Sequence, residues 1–413
     1  SALAYTDGYS FFYPSVGASL LLNRFVDMGR NIDLFKFRGS YSIVGNDVPV
    51  YKTNPRYTYG DQGAINPPES VPFRTLKPEK THSFEVGFDG EFFQHRLHVN
   101  ATYYKTNTKN QYFEVTLPWE SGYKSQFVNA GNVQNQGFEL TAGWFQDFGN
   151  EFTWSTDLNL SYNDNKIVKT FKDEQGKSSK LEQKIAGGNI VVRYDEGGSY
   201  GDMYALDFRR NDDGSIYLSS NGAPQLSNNS YVYLGNMNSK FQLGWGNTIS
   251  WKDLSLYFLV SGRIGGKVIS LTEAYLDYQG VSKRVGDARL AAEANPDLQW
   301  NGKPAMVMPD GNLAPIEEYY KAVGGNMFGS QYVYDATNFR LAELSLGYSF
   351  HNLFGGVISN LSLSVVGRNL FFIYKDAPVD PDIALSTKNG LGAFDIFNMP
   401  ATRSVGVNLK IDF

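Results

Sequence analysis

Apolar and polar positions alternate along much of this chain. Between 152 and 163, Phe152, Trp154, Leu158, Leu160 and Tyr162 occupy every second position, interrupted only by Thr156, while Thr153, Ser155, Asp157, Asn159 and Ser161 fill the gaps. Leu97, Val99, Ala101 and Tyr103 alternate in the same way with His98, Asn100, Thr102 and Tyr104. So do Val405, Val407, Leu409, Ile411 and Phe413 with Ser404, Gly406, Asn408, Lys410 and Asp412. A period of two sends successive side chains to opposite faces of a strand, so each segment has one apolar and one polar face. Alternation by itself establishes sheet, because a soluble sandwich alternates too.

Length and spacing say more. The pattern predicts roughly eleven strands, centred on 16–22, 34–43, 84–92, 97–112, 138–144, 152–162, 241–251, 254–263, 340–350, 361–371 and 405–413. Most of them approach or exceed the roughly ten residues that a bilayer crossing requires. The connections alternate short and long. Short ones fall at 23–31, 94–95, 146–151, 252–253 and 351–360, and long ones at 45–81, 116–129, 167–239, 265–330 and 373–402. Soluble meanders have no reason to gather every long connection at one end, whereas a spanning barrel has tight periplasmic turns and long external loops. The predicted fold class is therefore all-β, a transmembrane antiparallel up-and-down β-barrel. Counting back from the end, the last strand runs inward and finishes at Phe413 on the periplasmic side. An apolar strand ending in an aromatic is also what outer-membrane assembly machinery generally recognises.

Phe92, Trp144, Phe145, Trp251, Tyr348 and Phe350 flank the short turns. Amphipathic rings at headgroup depth form such girdles, and the alternative is ordinary core aromatics of a soluble sheet. Bacterial single-chain barrels have even strand counts, and an open edge in hydrocarbon leaves backbone groups unpaired. Eleven strands are thus read as the C-terminal half of a larger barrel, with partner strands expected upstream of Tyr5–Tyr13.

Composition agrees with this picture. The 413 residues include 27 Tyr, 29 Phe, 42 Gly and no Cys. A chain without Cys has no disulfide framework and suits an oxidising compartment. The formal charge of -5 is spread along the chain with no basic stripe, so nucleic acid is not an expected partner. No apolar run is long enough for a transmembrane helix. A mean hydropathy of -0.35 does not argue for a soluble protein, because a barrel averages its two faces. Ser1–Tyr5 has neither a charged n-region nor an apolar h-region, so a signal peptide is not expected there.

No catalytic arrangement is legible, and the chain is read as a non-enzyme. His82, His95, His98 and His351 lie near strand ends without metal-ligand spacing. Asn211-Asp212-Asp213-Gly214 lacks the twelve-position pattern of a calcium loop and reads as an Asp-Gly turn. Gly187-Gly188 and Gly197-Gly198 read as loop hinges, since no strand-to-helix context surrounds them. No cofactor and no metal are expected.

A family resemblance enters through particular stretches. Leu76-Lys-Pro-Glu-Lys-Thr-His-Ser-Phe-Glu85-Val-Gly-Phe-Asp89, Asn129-Ala-Gly-Asn-Val-Gln-Asn-Gln-Gly137-Phe-Glu139, Leu234-Gly-Asn236-Met-Asn238 and Gly262-Arg263-Ile-Gly-Gly266-Lys occur in order. The end carries most: Asn338-Phe-Arg340-Leu-Ala-Glu343-Leu-Ser-Leu-Gly-Tyr348, Gly367-Arg368-Asn369-Leu370-Phe371, Val379-Asp380-Pro381-Asp382 and Pro400-Ala-Thr-Arg403. Together they resemble the C-terminal barrel region of SusC/RagA-like TonB-dependent outer-membrane transporters, from about Tyr13 to Phe413. The resemblance implies a barrel of about 22 strands, of which 1–413 is the C-terminal portion, with plug domain, TonB box and first barrel half lying outside it. It implies the outer membrane of a Gram-negative, Bacteroidetes-like cell. The implied partners are TonB, a SusD-like surface lipoprotein acting as a lid, the remaining barrel half and plug, and outer-membrane lipid. The implied activity is energised import of a large nutrient, an oligosaccharide (glycan) or a peptide.

Two groups of candidate site residues follow. Arg38, Glu85, Asp89, Glu139, Asp157, Asn159, Asn408 and Lys410 are expected on the face away from lipid, where they contact the plug or line a water-filled lumen. Trp119, Tyr123, Tyr275, Tyr278, Trp300, Tyr319 and Tyr320 lie in the long loops and are candidates for contact with substrate or lid, since aromatic faces stack on sugars and apolar peptide side chains. For any single one of these, packing of the loops against one another is the favoured reading. A short helical turn is expected at 317–323. The competing functions are a passive channel without a plug, a barrel enzyme, and a surface glycan-binding or adhesin β-protein.

Overall fold

The computed structural model describes residues 12–46, 56–68, 70–71, 78–116, 122–123, 125–129, 131–170, 182–382 and 392–412. Phe413, Trp119 and most of the Tyr5–Tyr13 segment lie outside them. Eleven strands form one antiparallel sheet in chain order. They are β1 (Ser15–Leu21), β2 (Ile32–Asn46), β3 (Glu79–Phe92) and β4 (Leu97–Lys109). β5 (Asn132–Asp147), β6 (Phe152–Lys169), β7 (Phe241–Trp251) and β8 (Leu254–Ile264) follow. β9 (Asn338–Leu353), β10 (Ile358–Lys375) and β11 (Ser404–Asp412) complete it. Each strand pairs with its sequence neighbour, the up-and-down order in which tight turns suffice at one end. β6 and β10 each run 18 residues, well beyond a bilayer crossing.

The turns at the short end are tight because their residues accept left-handed backbone. Phe93, Gln94 and His95 all have φ near +60° between β3 and β4, and Lys252 has φ +52° between β7 and β8. The aromatics predicted to flank these turns do so. Phe93 lies 6.1 Å from Trp144, Tyr348 lies 4.8 Å from Phe350, and Trp251 and Phe145 are largely exposed.

The sheet has no core of its own on its apolar side. Phe37, Phe84, Tyr103, Phe138, Trp245, Leu346, Val365, Val407 and Leu409 are exposed there, as expected of a face solvated by hydrocarbon. The packed core sits elsewhere, in the long connections. Ile190, Val192, Met203, Ile269, Phe328, Tyr332 and Phe394 are fully buried in one cluster drawn from the β6–β7, β8–β9 and β10–β11 connections.

This loop body contains regular structure that alternation does not announce. α1 (Leu271–Tyr278) starts at Ser270, whose hydroxyl accepts from the Glu273 N–H at 3.2 Å. α2 (Lys283–Ala294) starts at Ser282, which accepts from the Val285 N–H at 3.2 Å. α3 (Ile316–Gly325) is a full helix where one turn was expected. Residues Ile190–Arg193, Asp202–Phe208 and Leu226–Asn236 belong to a separate four-stranded sheet. Phe394–Asp395, from the last connection, adds in parallel to Lys267–Ser270. Asn211 to Ser215 closes as a turn, with the Gly214 N–H on the Asn211 carbonyl at 3.0 Å.

Candidate functional site

Residues directly opposite in a ladder share a face, so the register traces the polar face from edge to edge. Lys36 stands opposite Asp89, Arg38 opposite Gly87 and Ser40 opposite Glu85. Asp89 then meets Asn100, and Thr102 and Asn100 meet Glu139 and Thr141. Thr141 and Gly143 meet Asn159 and Asp157. At the far edge Ser364 and Ser362 meet Asn408 and Lys410. Arg38, Glu85, Asp89, Glu139, Asp157, Asn159, Asn408 and Lys410 thus lie on one continuous face, opposite the exposed apolar one.

Several charges on this face are paired. Lys36 lies 3.1 Å and Arg38 3.7 Å from Asp89, and Asn100 also donates to Asp89. His98 lies 3.5 Å from Asp157, and a Cβ on the intervening Gly143 would collide with both side chains. Arg368 pairs with Glu343 at 3.1 Å, and Lys410 with Asp412 at 3.3 Å. The other histidines have single partners: His82 on the Tyr41 hydroxyl at 2.8 Å, His95 on Glu91, and His351 on Asp253 at 3.1 Å. No cluster of three His, Cys, Asp or Glu side chains able to hold a metal is found among the described residues.

One part of this face is built by irregularity. Along β9, Glu343 faces the polar side opposite Leu259, so strict alternation would send Arg340 to the apolar side. The register slips instead: Leu259 opposes Glu343, the next residue Val260 opposes Leu341, and Ala342 is the extra residue of a β-bulge. Arg340 therefore joins Glu343 on the polar face, opposite Ser261. The slip is matched on β10, where Leu341 pairs with Phe371 and Glu343 with Arg368. Asn369 absorbs it with φ +52°, a left-handed conformation that Asn tolerates better than most residues. Bulges that re-aim a side chain in this way concentrate next to functional sites.

Arg340 points at the segment following β10. It pairs with Asp382, lies 3.8 Å from Asp380, and stacks over Phe372 at 5.1 Å. Arg263 at the end of β8 reaches Asp382 at 3.2 Å, and the Asn338 amide donates to the same carboxylate at 3.4 Å. The segment is itself folded: the Asp382 N–H donates to Asp380 at 3.0 Å, and Lys375 holds the Pro378 and Val379 carbonyls at 3.3 Å. Beside the cluster a cavity of about 460 Å³ opens on the polar face, lined among others by Glu139, Thr141, Asn159, Gln242, Arg263 and Asp382. Sequence reading did not single out Arg263, Arg340, Asp380 and Asp382 as site residues. They were visible as members of separate stretches, but their convergence depends on a bulge that alternation cannot show.

The loop aromatics divide. Tyr319 and Tyr320 are 4 % and 7 % exposed, with Tyr319 packed near Phe208 and against Tyr320, and burial pushes both hydroxyls above the usual tyrosine range. Their faces belong to the loop core, in line with the packing of loops favoured for any single aromatic. The cause is α3, whose inward stripe they share with Ile316 and Val323. Trp300 packs with Pro315 against Gly222, where a Cβ would meet the Pro315 ring first and the indole next. Tyr123 is half-buried. Tyr275 and Tyr278 are 43 % and 44 % exposed, and Tyr275 meets Phe397 edge-on at 5.2 Å.

The loop body is also pinned electrostatically. Asp277 is fully buried on α1 and accepts from the Tyr332 hydroxyl at 2.9 Å and from Arg284, which also lies 3.6 Å from Glu273. Burial opposes the Arg284 charge, but Asp277 and Glu273 outweigh it and hold the guanidinium protonated more firmly than usual. Asp310 ties two connections together by accepting the Ile216 N–H at 2.7 Å. Burial raises its carboxyl, yet this bond and those from Asn312 keep it below the ordinary carboxylate range.

Comparison with known proteins places this geometry in context. Residues 2–370 match the family described as TonB dependent receptor-like, beta-barrel. TonB-dependent receptor P3 of Formosa agariphila is 24% identical over 97% of this chain and 42% of its own length. TonB-dependent receptor SusC of Bacteroides thetaiotaomicron is 22% identical over 85% of this chain and 34% of its own. Among solved structures, the RagAB peptide transporter superposes with a TM-score of 0.73 at 19% identity, covering 97% of this chain and 43% of that one. The chain thus spans between about a third and about four tenths of the length of these relatives.

Proposed function

Because the chain belongs to the TonB dependent receptor-like β-barrel family of outer-membrane proteins, we propose that it is the C-terminal part of the barrel of a SusC-like importer. The whole protein would take up a large nutrient, an oligosaccharide or a peptide, and be energised through TonB. Within this reading the remaining strands and a plug are supplied by sequence outside 1–413. The plug rests on the polar face, against residues such as Arg38, Asp89, Asp157 and Asn159. A SusD-like lipoprotein covers the loop body, where Tyr275 and Tyr278 are exposed.

The observation that carries the proposal is the pair of opposite faces. Eleven strands present charged and polar residues on one side, several of them paired, and exposed apolar residues on the other. An apolar exterior and a charged interior are the requirements of a wall between lipid and a wide aqueous lumen. A packed core shared by the connections after β6, β8 and β10 supports a receptor's loop body over the separate loops of an open pore.

The full-length protein tests this. In planar bilayers it is expected to be nearly closed, and uptake of its cognate substrate should disappear in TonB-deficient cells. Steady ohmic conductance, with uptake unaffected by loss of TonB, would replace the importer by a passive channel.

A further inference from the structure

The lipid-facing side of the sheet also carries charge, at its extracellular end. Opposed residues share a face, so the ladder can be followed outward row by row. Val86, Tyr103, Phe138 and Tyr162 form one row across β3 to β6, and Phe241 continues it on β7. Two residues further out the row is Phe84, Lys105, Gln136 and Asp164, followed by His82, Asn107, Gln134 and Lys166. The outermost row is Lys80, Lys109, Asn132 and Lys169. Lys169 reaches it through a β-bulge. Val133 opposes Ile167 and Asn132 opposes Lys169, so Val168 is the extra residue, and strict alternation would have sent Lys169 to the lumen side.

On β3 to β6 the three outer rows hold five lysines and, in Asp164, a single acid, which Lys240 approaches at 3.9 Å. Among the described residues no carboxylate pairs with Lys105, Lys109, Lys166 or Lys169. Lys80 and Lys109 stand directly opposite each other, an arrangement that like charges disfavour and that an anion lying over both would offset. Lys109, Lys166 and Lys169 lie outside the stretches that resemble SusC-like transporters, so the resemblance does not account for them. β3 to β6 have neighbouring strands on both sides, and these residues point away from the lumen. Neither the strands that close the barrel nor a plug covers them, and in the complete barrel they face the outer leaflet.

Depth distinguishes the kinds of lipid. The aromatic row of Tyr103, Phe138 and Tyr162 has the composition of an interfacial girdle. Lys105 lies about 7 Å beyond Tyr103 along the strand, and Lys109 about 20 Å. At a strand tilt of about 40°, the charge between Lys105 and Lys109 covers a depth of about 10 Å. A phospholipid headgroup layer is roughly 5–7 Å deep, whereas a phosphorylated sugar head places anions at more than one level. Below the aromatic row a groove of about 360 Å³ runs where Ala101 stands between Phe88 and Leu140, the shape an acyl chain fills. We propose that the outward face of β3 to β6 binds a phosphorylated glycolipid of the outer leaflet, with its phosphates on the lysine rows and an acyl chain over Ala101. Ammonium groups hold phosphate as point charges, and basic residues at the membrane surface recognise anionic headgroups in this way. The site depends on the outer-membrane location of the barrel and not on what the barrel transports.

The test is native mass spectrometry of the purified full-length protein with added lipid. The probes are lipid A bearing two phosphates, the same lipid with both phosphates removed, and phosphatidylglycerol. The bisphosphorylated lipid is expected to be retained in preference to the other two. The triple variant Lys109→Gln, Lys166→Gln and Lys169→Gln should weaken its retention about tenfold or more. Lys252→Gln, in the β7–β8 turn at the opposite end of the sheet, should leave it unchanged. Lys105→Gln, with a several-fold loss, serves as the second variant should the triple one fail to fold. Ala101→Phe fills the groove and should also weaken retention with every lysine in place. Unchanged retention in the folded lysine variants overturns the proposal, as does equal retention of the dephosphorylated lipid or of phosphatidylglycerol. Retention of no lipid, with the same lysines shielded from acetylation only by a co-purified lipoprotein, assigns the rows to a protein partner and overturns it too. The assay involves neither substrate nor TonB, so its result is separate from the importer reading.

Discussion

At the residue scale, side chains with unusual backbone or burial carry the information. Asn369 sits at φ +52° opposite the β9 bulge and makes the slip in register possible. Asn369→Val places a β-branched residue in that conformation and is expected to cost about 1–2 kcal/mol, whereas Asn369→Gly should be near neutral. The measurement is the urea midpoint of the folded, heat-modifiable form of the full-length protein. Equal midpoints for Val and Gly would show that the left-handed turn is not what requires Asn here. Tyr319 and Tyr320 teach the converse. An aromatic in a long loop looks available for ligand in the sequence, yet the apolar stripe of α3 draws both into a core.

At the element scale, the two faces of each strand make opposite demands. Val407 and Asn408 are neighbours in the middle of β11, with Val407 opposite Val365 on the apolar face and Asn408 opposite Ser364 on the polar one. Val407→Arg should destabilise the assembled barrel by about 2–4 kcal/mol and reduce the folded protein recovered from outer membranes. Asn408→Arg should be tolerated. Equal loss from both, or from neither, would mean that β11 does not separate lipid from lumen. The eleven strands and five short turns were legible before the structure, because a lipid-facing wall forces period two on every strand. The strand ends moved by up to about seven residues where the ladders continue past the alternating stretches, as at Lys169 and Lys375.

At the scale of the whole molecule, the three long connections after β6, β8 and β10 behave as one body and not as separate loops. Phe394, fully buried, inserts the last connection into a core built from the two before it, and Asp395 accepts the hydroxyl of Ser270, the cap of α1, at 2.7 Å. Phe394→Ala is expected to cost about 3–5 kcal/mol within this body. Amide exchange should accelerate at 267–278 while the barrel strands keep their protection. Exchange that stays slow there, or accelerates throughout the sheet, would show that the body is not a cooperative unit. The same fastening sets a boundary for the Asp382 site, since residues on both sides of it are anchored: Lys375 to the Pro378 carbonyl and Phe394 in the loop core.

The sequence by itself determined the sheet, its strand number, the two faces and the ends at which long and short connections gather. Each of these follows from local periodicity and chain length, which need no partner to be read. It also placed Arg38, Glu85, Asp89, Glu139, Asp157, Asn159, Asn408 and Lys410 on one side, because parity within a strand is local information. Only the tertiary structure decided what the connections do, since the capped helices α1 and α2 and the Phe394 insertion are stabilised by contacts between distant segments. It alone brought Arg263, Arg340, Asp380 and Asp382 together. A single extra residue reverses the parity of Arg340, and a bulge is a property of paired strands, not of one strand's pattern.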